Sequence, residues 1–589
     1  MSSRLGTSMG LEVLLLRLQG TCSEQPLLVA SSLVAGLAIT WLAWRLVWAL
    51  LLSPLRKVPG PFLARLTSNR GDINNFSGAV ALQAQKDTAR YGPVYVFKPN
   101  AVCISHPDDV RAVLGSDDFC KAEFFDIFND GRVQNIVSQR DPALARMRRR
   151  QIGPFLNYGY LTRMEPVIQR HGYLAIRSKW DRRITETKTD KDEPVEVNYR
   201  HDTQLATFDI MSALAFGRDP DSISKGSSSI SESAAVIMDI LDYSLVLGLL
   251  SLLPFSLIMR PWKTMYRELA AYSKTSAQMR KEHLANGGEP PADMLQAFIE
   301  AEDPDSKIKM TPSEIQAECI MMMLAGSETT SSAIMWTIHL LLLHPDMLKR
   351  VTEEIRSAFG PGHLISHKDV LTKLPFFEAC VYESLRVSPT TAGLTPRVSH
   401  KRGIVLHGGY YIPPGTELYV NLRSVNMDDE FWHEPQRFRP DRFVNCDAAK
   451  KNLFTFSYGP RNCIGRNLAW VEMLTITANI FKDYDLALTP DKQDESPANY
   501  ATRVKAPGGL ARITGYLVIT VACTGVAALH PTQPELCITT ASAMGDLAAG
   551  LAAFMLTDLQ TDADMDVCKI AYAYPYPTNR SLSPRRALA

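Results

Sequence analysis

This chain of 589 residues carries almost no excess charge. Its 63 Lys and Arg face 62 Asp and Glu, which leaves +1. There is no bulk electrostatic case for a nucleic-acid partner. Paired cysteines are missing as well. The ten cysteines (Cys22, Cys103, Cys120, Cys319, Cys380, Cys446, Cys463, Cys523, Cys537 and Cys568) show no C-x-x-C pair and no regular framework. That usage fits a reducing compartment better than a secreted disulfide scaffold. Long apolar runs are scarce. Leu517–Leu529 and Ala541–Leu556 fall short of the ~18 residues that span a bilayer. With 46% hydrophobic and 21% charged residues the composition is globular.

One run is long enough. From Leu27 to Trp44 every residue is apolar or small; Arg45 follows, then Leu46 to Leu52. This exceeds the core of a signal peptide, and no small-residue cleavage site follows it. Arg45, near one end, can snorkel. Arg56 and Lys57 come next, and the positive-inside rule puts that flank in the cytoplasm. The expected organisation is a short lumenal segment over 1–25, a transmembrane helix over 26–52 and a stiff proline break over 53–61. A catalytic body over 62–515 and a C-terminal extension of unknown role over 516–589 complete it. The break contains Val58-Pro59-Gly60-Pro61, which cannot continue a helix. The sequons at Asn75 and Asn579 are expected to face the cytosol and stay unused.

The most informative stretch runs from Phe454 to Asn467 and reads F-T-F-S-Y-G-P-R-N-C-I-G-R-N. A lone cysteine is usually a buried structural residue. Here Phe456, Gly459, Arg461, Cys463 and Gly465 follow the pattern F-x-x-G-x-R-x-C-x-G, and each has a physical job if Cys463 ligates a metal. The glycines let the backbone turn tightly and approach a flat cofactor. Arg461 puts a cation within reach of a cofactor carboxylate. The apolar, helically spaced run from Ile464 to Ile480 sets Cys463 just before a helix N-terminus, which favours a thiolate.

This loop resembles the haem-binding loop of the cytochromes P-450, the haem-thiolate monooxygenases. Other motifs follow in family order, and the resemblance covers about residues 26–515. Ala325-Gly326-Ser327-Glu328-Thr329-Thr330, inside a long helix expected over Glu314–Leu343, resembles the family's (A/G)-G-x-(D/E)-T-(T/S). Gly326 weakens helical order and a threonine hydroxyl can bond back one turn, so a local opening is expected there. Glu383 and Arg386 form E-x-x-R, and Arg442 lies in Phe438-Arg439-Pro440-Asp441-Arg442-Phe443, similar to the family's P-E-R-F region with Asp in place of Glu. Resemblance makes Glu383, Arg386 and Arg442 a buried structural triad. Thr395-Pro396-Arg397 matches a strand whose Arg meets a haem propionate, and Thr390–Leu394 would line the distal pocket. In Asp141–Phe155, Arg149 matches the propionate-binding Arg of W/H-x-x-x-R, with Arg148 and Arg150 as alternatives. Ala145 stands where the family has an aromatic or His. The basic cluster is either a solvated face or a docking patch for an acidic reductase.

Short β-rich runs at Val94–Phe97 and Ala101–Ile104 read as a hairpin. Tyr410–Ile412 and Glu417–Asn421, around Pro413-Pro414-Gly415, read as another, and Val504–Thr514 as a last one. Ile230–Met265, apolar and poor in charge, is either the family's substrate lid or a core helix pair.

The resemblance implies a mainly α fold with a smaller β region, the cytochrome P-450 fold behind an N-terminal transmembrane helix. It implies haem b with Cys463 as axial thiolate, propionates held by Arg461, Arg397 and Arg149, and proton delivery by Thr329 and Glu328. The expected reaction inserts one atom of O₂ into an apolar secondary metabolite such as a terpenoid or polyketide. Electrons come from NADPH through a separate cytochrome P-450 reductase, with cytochrome b5 as a second possible donor, at the endoplasmic reticulum membrane. A desaturase, isomerase or dehydratase of the same type, or a non-catalytic haem protein, is the alternative.

Overall fold

A computed structural model describes residues 26–71, 80–131, 133–187, 195–227, 231, 260–391 and 393–488. Most of the expected lid, the 504–514 hairpin, the C-terminal extension, Asn75 and Asn579 lie outside the described residues.

The apolar N-terminal run forms α1 (Pro26–Val47) and continues as a wider helical turn over Trp48–Leu52. Ala35–Leu52 is long and apolar enough to cross a membrane. The chain then breaks at the prolines, and the break does not dangle. Leu55 and Val58 are buried, and Val96 donates its N–H to the Pro59 carbonyl at 2.7 Å. Gly60, at φ +149°, sits so close to that strand that a Cβ would lie 2.8 Å from the Val96 nitrogen. Arg45, near the end of α1, donates from Nε to the Leu66 carbonyl at 3.1 Å, at the end of the short helix α2 (Phe62–Leu66). The stiff break is therefore packed onto the body.

One sheet of five strands has the order β1–β2–β7–β4–β3. β1 (Val94–Lys98) and β2 (Ala101–Ile104) form the expected antiparallel hairpin. β7 (Glu417–Asn421) lies parallel to β2 and antiparallel to β4 (Leu394–Val398), and the short β3 (Cys120–Lys121) closes the edge beside β4. The expected pairing of Tyr410–Ile412 with Glu417–Asn421 is wrong. β6 (Tyr410–Ile412) pairs instead with β5 (Ile404–Leu406), across a turn in which Gly408 and Gly409 have φ of 78° and 77°. Pro413 and Pro414 have no N–H to give a ladder. Their turn redirects the chain into the large sheet, where Glu417 N–H meets the Asn100 carbonyl at 3.1 Å.

The remaining body is helical. α3 (Pro107–Leu114), α4 (Pro142–Ile152) and α5 (Tyr199–Phe216) precede the long α6 (Pro312–Leu342). Thr311 caps α6 in a reciprocal box with Glu314, and Pro312 takes the first-turn position where no N–H is needed. The rest of α6 is almost wholly buried, because it runs through the middle of the largest apolar cluster. α7 (Pro375–Val387) and α8 (Arg466–Asp483) pack against it. A second apolar cluster holds the sheet, the α3 side chains and the docked N-terminal segment together.

Candidate functional site

The cysteine loop is a rigid turn set against α3. Ser457 and Gly459 both have positive φ (63° and 72°). A Cβ on Gly459 would lie 2.2 Å from the Leu114 carbonyl, so only glycine fits there. Gly465 acts differently from expectation. Its φ is an ordinary −80°, and a Cβ there would meet only the Cys463 sulfur, at 4.0 Å. Its bareness keeps the sulfur open. Cys463 donates its own N–H to the Phe456 carbonyl at 2.9 Å. The thiol is crowded by the surrounding body, yet its side chain is accessible. Burial pushes its pKa up, while the N–H groups of Gly465 and Arg466 and the charges of Arg149 and Arg466 pull it down. Phe456 is half-buried beneath the Arg466 guanidinium, 5.9 Å from the ring centre.

Around this loop lies a group of cations, two buried (Arg397 and Lys121) and two half-buried (Arg461 and Arg149). Arg397, on β4, is 2% exposed and donates to the Pro396 carbonyl at 3.0 Å. Arg461 donates to the Gln139 carbonyl. Lys121, on β3, is 8% exposed and donates to the Val137 carbonyl at 2.5 Å. In the ladder Lys121 stands directly opposite Arg397. Like charges facing one another across a ladder destabilise it. Burial, then the charge of Arg461, brings Arg397 down to about 9; burial, then Arg461, Arg397 and Arg149, holds Lys121 well below the ordinary lysine value. Arg149 completes the group, its guanidinium bonded to the Asn462 carbonyl at 2.8 Å and to the Asn462 side chain at 2.7 Å. Among the described residues none of these four forms an ion pair with a carboxylate, although carbonyls serve all four.

Arg149 is thus the arginine of its helix that turns toward the cysteine loop. The basic cluster around it divides: Arg148 is buried, whereas Arg146 and Arg150 keep surface exposure. Arg148 is buried in ion pairs with Glu314 and Glu318, Arg150 pairs with Asp303, and Arg146 with Asp117. Glu318, fully buried, is pushed up to about 7 by burial, with Arg148 opposing. Ala145, where an aromatic or His was expected, is buried against the body. Lys121 is the residue that sequence reading missed. Its local signal is a lysine between Phe119-Cys120 and Ala122.

On α6, Thr329 bonds back from Oγ1 to the Ala325 carbonyl at 2.6 Å, as expected. The helix nevertheless runs unbroken from Pro312 to Leu342, so the expected opening is absent. Gly326 serves close packing instead. A Cβ there would lie 2.7 Å from the Met211 sulfur of α5. Glu328 accepts a hydrogen bond from Gln204 Nε2 at 2.8 Å.

Glu383, Arg386 and Arg442 come together as expected. Arg386 grips both Glu383 oxygens at 2.7 and 2.8 Å, and Arg442 reaches Glu383 at 3.2 Å. Arg439 adds its backbone N–H to the same carboxylate at 2.7 Å. Asp441 faces away, to Arg350. Arg386 also donates to the Asn426 carbonyl at 2.9 Å. The Asn426 side chain donates to Thr455 at 3.1 Å and accepts from the Phe454 N–H at 3.3 Å. This chain of bonds runs from the triad into the cysteine loop. Of the expected distal stretch Thr390–Leu394, Ala392 is outside the described residues.

An open thiol flanked by buried cations without carboxylate partners fits a flat, dianionic metal cofactor. The family profile described as Cytochrome P450 matches residues 73–509. A cytochrome P450 monooxygenase of Aspergillus fumigatus named helB1 is 65% identical over 459 residues, 78% of each chain. Another from the same fungus, helB2, is 48% identical over 459 residues, 77% of this chain and 89% of the relative. A Fusarium relative, the cytochrome P450 monooxygenase LUC2, is 25% identical over 450 residues, 75% of this chain and 85% of its own.

Proposed function

Since the chain belongs to the cytochrome P450 family, we propose that this fungal-type monooxygenase puts one atom of O₂ into an apolar secondary metabolite of terpenoid or polyketide class. Its electrons come from NADPH through a separate reductase, with cytochrome b5 as an optional second donor. Family membership carries haem with a cysteine-thiolate ligand, and the haem, when bound, supplies the oxygen chemistry. The observation that carries the reading is the set of buried and half-buried cations around the Cys463 loop that have no carboxylate partner among the described residues.

The chain's own residues divide the work. Cys463 holds the metal, and the N–H groups of Gly465 and Arg466 help its sulfur stay anionic. Arg397, Arg461 and Lys121 would hold the two carboxylates of the cofactor. Arg149 braces the loop through Asn462 and adds positive charge near the sulfur. Glu328 carries protons from the α5 side, and the Thr329 hydroxyl passes them on across the pocket wall. The triad fixes the cysteine loop through Asn426 and Thr455.

The anchor is the helix ending at Leu52, at the endoplasmic reticulum membrane. Arg56 and Lys57, both exposed, put the body in the cytosol. The catalytic unit is the 62–515 segment, and 516–589 is an appendage to it.

The reduced enzyme with carbon monoxide tests the ligand. The native protein is expected to give the strongly red-shifted Soret band and Cys463→Ser to lose it; a band that survived would overturn the reading. Substrate-induced spectral shifts across terpenoids and polyketides then find a substrate. Product analysis under labelled O₂ should show one labelled atom. An unlabelled product would move the assignment to desaturation or rearrangement.

A further inference from the structure

The turn of α6 that carries Glu328 is held by one stripe of α5. Gln204, Thr207 and Met211 follow the i, i+3, i+7 spacing that places residues on one helix face. Each meets a successive part of the turn. Met211 fills the space left by Gly326, Thr207 donates from Oγ1 to the Ser327 carbonyl at 3.0 Å, and Gln204 donates to Glu328 at 2.8 Å. Gln204 and Glu328 are both half-buried, next to the exposed His201 on α5, while Thr207 and Met211 are buried. The stripe therefore runs from the solvent edge into the core, with the carboxylate at its wet end.

We propose that Gln204 is a positioning residue for proton delivery. It parks the Glu328 carboxylate at the solvent edge of α6, where protons enter, and serves both protonation states of that acid. An amide carries a donor and an acceptor on one side chain. Its N–H₂ bonds the carboxylate, and its carbonyl can accept from the neutral acid after the acid has taken a proton. A Lys or Arg in this place would suit the anion alone and hold it there. A methyl group would suit neither. Glu328 can thus be loaded and released without losing a partner worth more in one state than in the other. This rests on Glu328 being a proton carrier, as assigned above.

The test uses haem-loaded enzyme with its reductase and no organic substrate. Dioxygen then has two fates. One NADPH, one proton and O₂ give NADP⁺ and hydrogen peroxide. Two NADPH, two protons and O₂ give two NADP⁺ and two waters. Poor proton delivery raises the peroxide share. Gln204→Met keeps the shape of the side chain and removes its hydrogen bonds. Gln204→Lys replaces it by a cation. Both are expected to keep the carbon monoxide Soret band and to raise peroxide per O₂ several-fold, toward the level of Glu328→Gln. A second readout does not depend on turnover. The infrared carboxylate band absent from Glu328→Gln should shift in Gln204→Met, because the carboxylate loses its donor. If that band and the peroxide share are both unchanged in Gln204→Met, Gln204 only packs α5 on α6 and the proposal fails. A shifted band with an unchanged peroxide share also overturns it. An unchanged peroxide share in Glu328→Gln itself would instead overturn the proton-carrying role of Glu328.

Discussion

Around Glu383 the cations share a carboxylate within the chain; between β3, β4 and the cysteine loop, among the described residues, they have none. Glu383 and Arg386 are both fully buried, and the carboxylate receives two guanidinium N–H groups of Arg386, one of Arg442 and a backbone N–H. Among the described residues Lys121, Arg397 and Arg461 have carbonyls but no carboxylate, and beyond burial Arg461 depresses both Arg397 and Lys121. Burial alone does not explain the difference, since each group holds both buried and half-buried cations. A network complete in itself stabilises a fold only if no member is removed. A group short of negative charge costs stability until something anionic arrives. The first is scaffold, and the second is the cofactor site proposed above.

The widest separation between the two comes from deleting one charge in each. Glu383→Ala strands Arg386 in the core and should cost about 3–5 kcal/mol, the usual scale for breaking a buried pair. Urea unfolding and the yield of haem-loaded protein measure it. A cost near that of a surface pair would mean that Glu383 is not the centre of the triad.

Lys121→Met should have the opposite sign in the apoprotein. Removing a buried cation that faces Arg397 relieves repulsion, so the apoprotein is expected to gain about 1 kcal/mol, a modest part of what an unpaired buried charge costs. On the proposed role the same change would also remove a charged hydrogen bond to a cofactor carboxylate, so haem transfer to apomyoglobin should quicken roughly tenfold. An apoprotein that became less stable would place Lys121 with the scaffold.

The smallest effect is a pH dependence. In the folded apoprotein the lysine is depressed well below its ordinary 10.5, first by burial and then by Arg461, Arg397 and Arg149. Between the two values the unfolded chain binds a proton that the folded chain does not. Stability contributed by this group therefore rises with pH across that window and is complete at the ordinary lysine value. Denaturant midpoints of the apoprotein should climb with alkaline pH more steeply than those of Lys121→Met. Parallel curves would show that Lys121 titrates normally.

Some of this was written in local spacing. F-x-x-G-x-R-x-C-x-G put Arg461, Cys463 and Gly465 on one turn because the residues are neighbours, and E-x-x-R put Glu383 beside Arg386 because three residues make nearly one helical turn. The break after the apolar helix followed from prolines that cannot continue it. What only the tertiary structure decided were pairings between distant segments. Lys121 stands opposite Arg397 because β3 happens to close the edge beside β4. Arg148 turns to Glu314 and Glu318, and so leaves Arg149 alone to reach the cysteine loop. β6 chose β5, and β7 went into the large sheet, although both readings use the same turn residues. Gln204 found Glu328 because Gly326 lets α5 approach so closely. Local spacing fixes which side chains share a turn. Which turns meet is settled by packing and by the balance of buried charge, and both are summed over the whole chain.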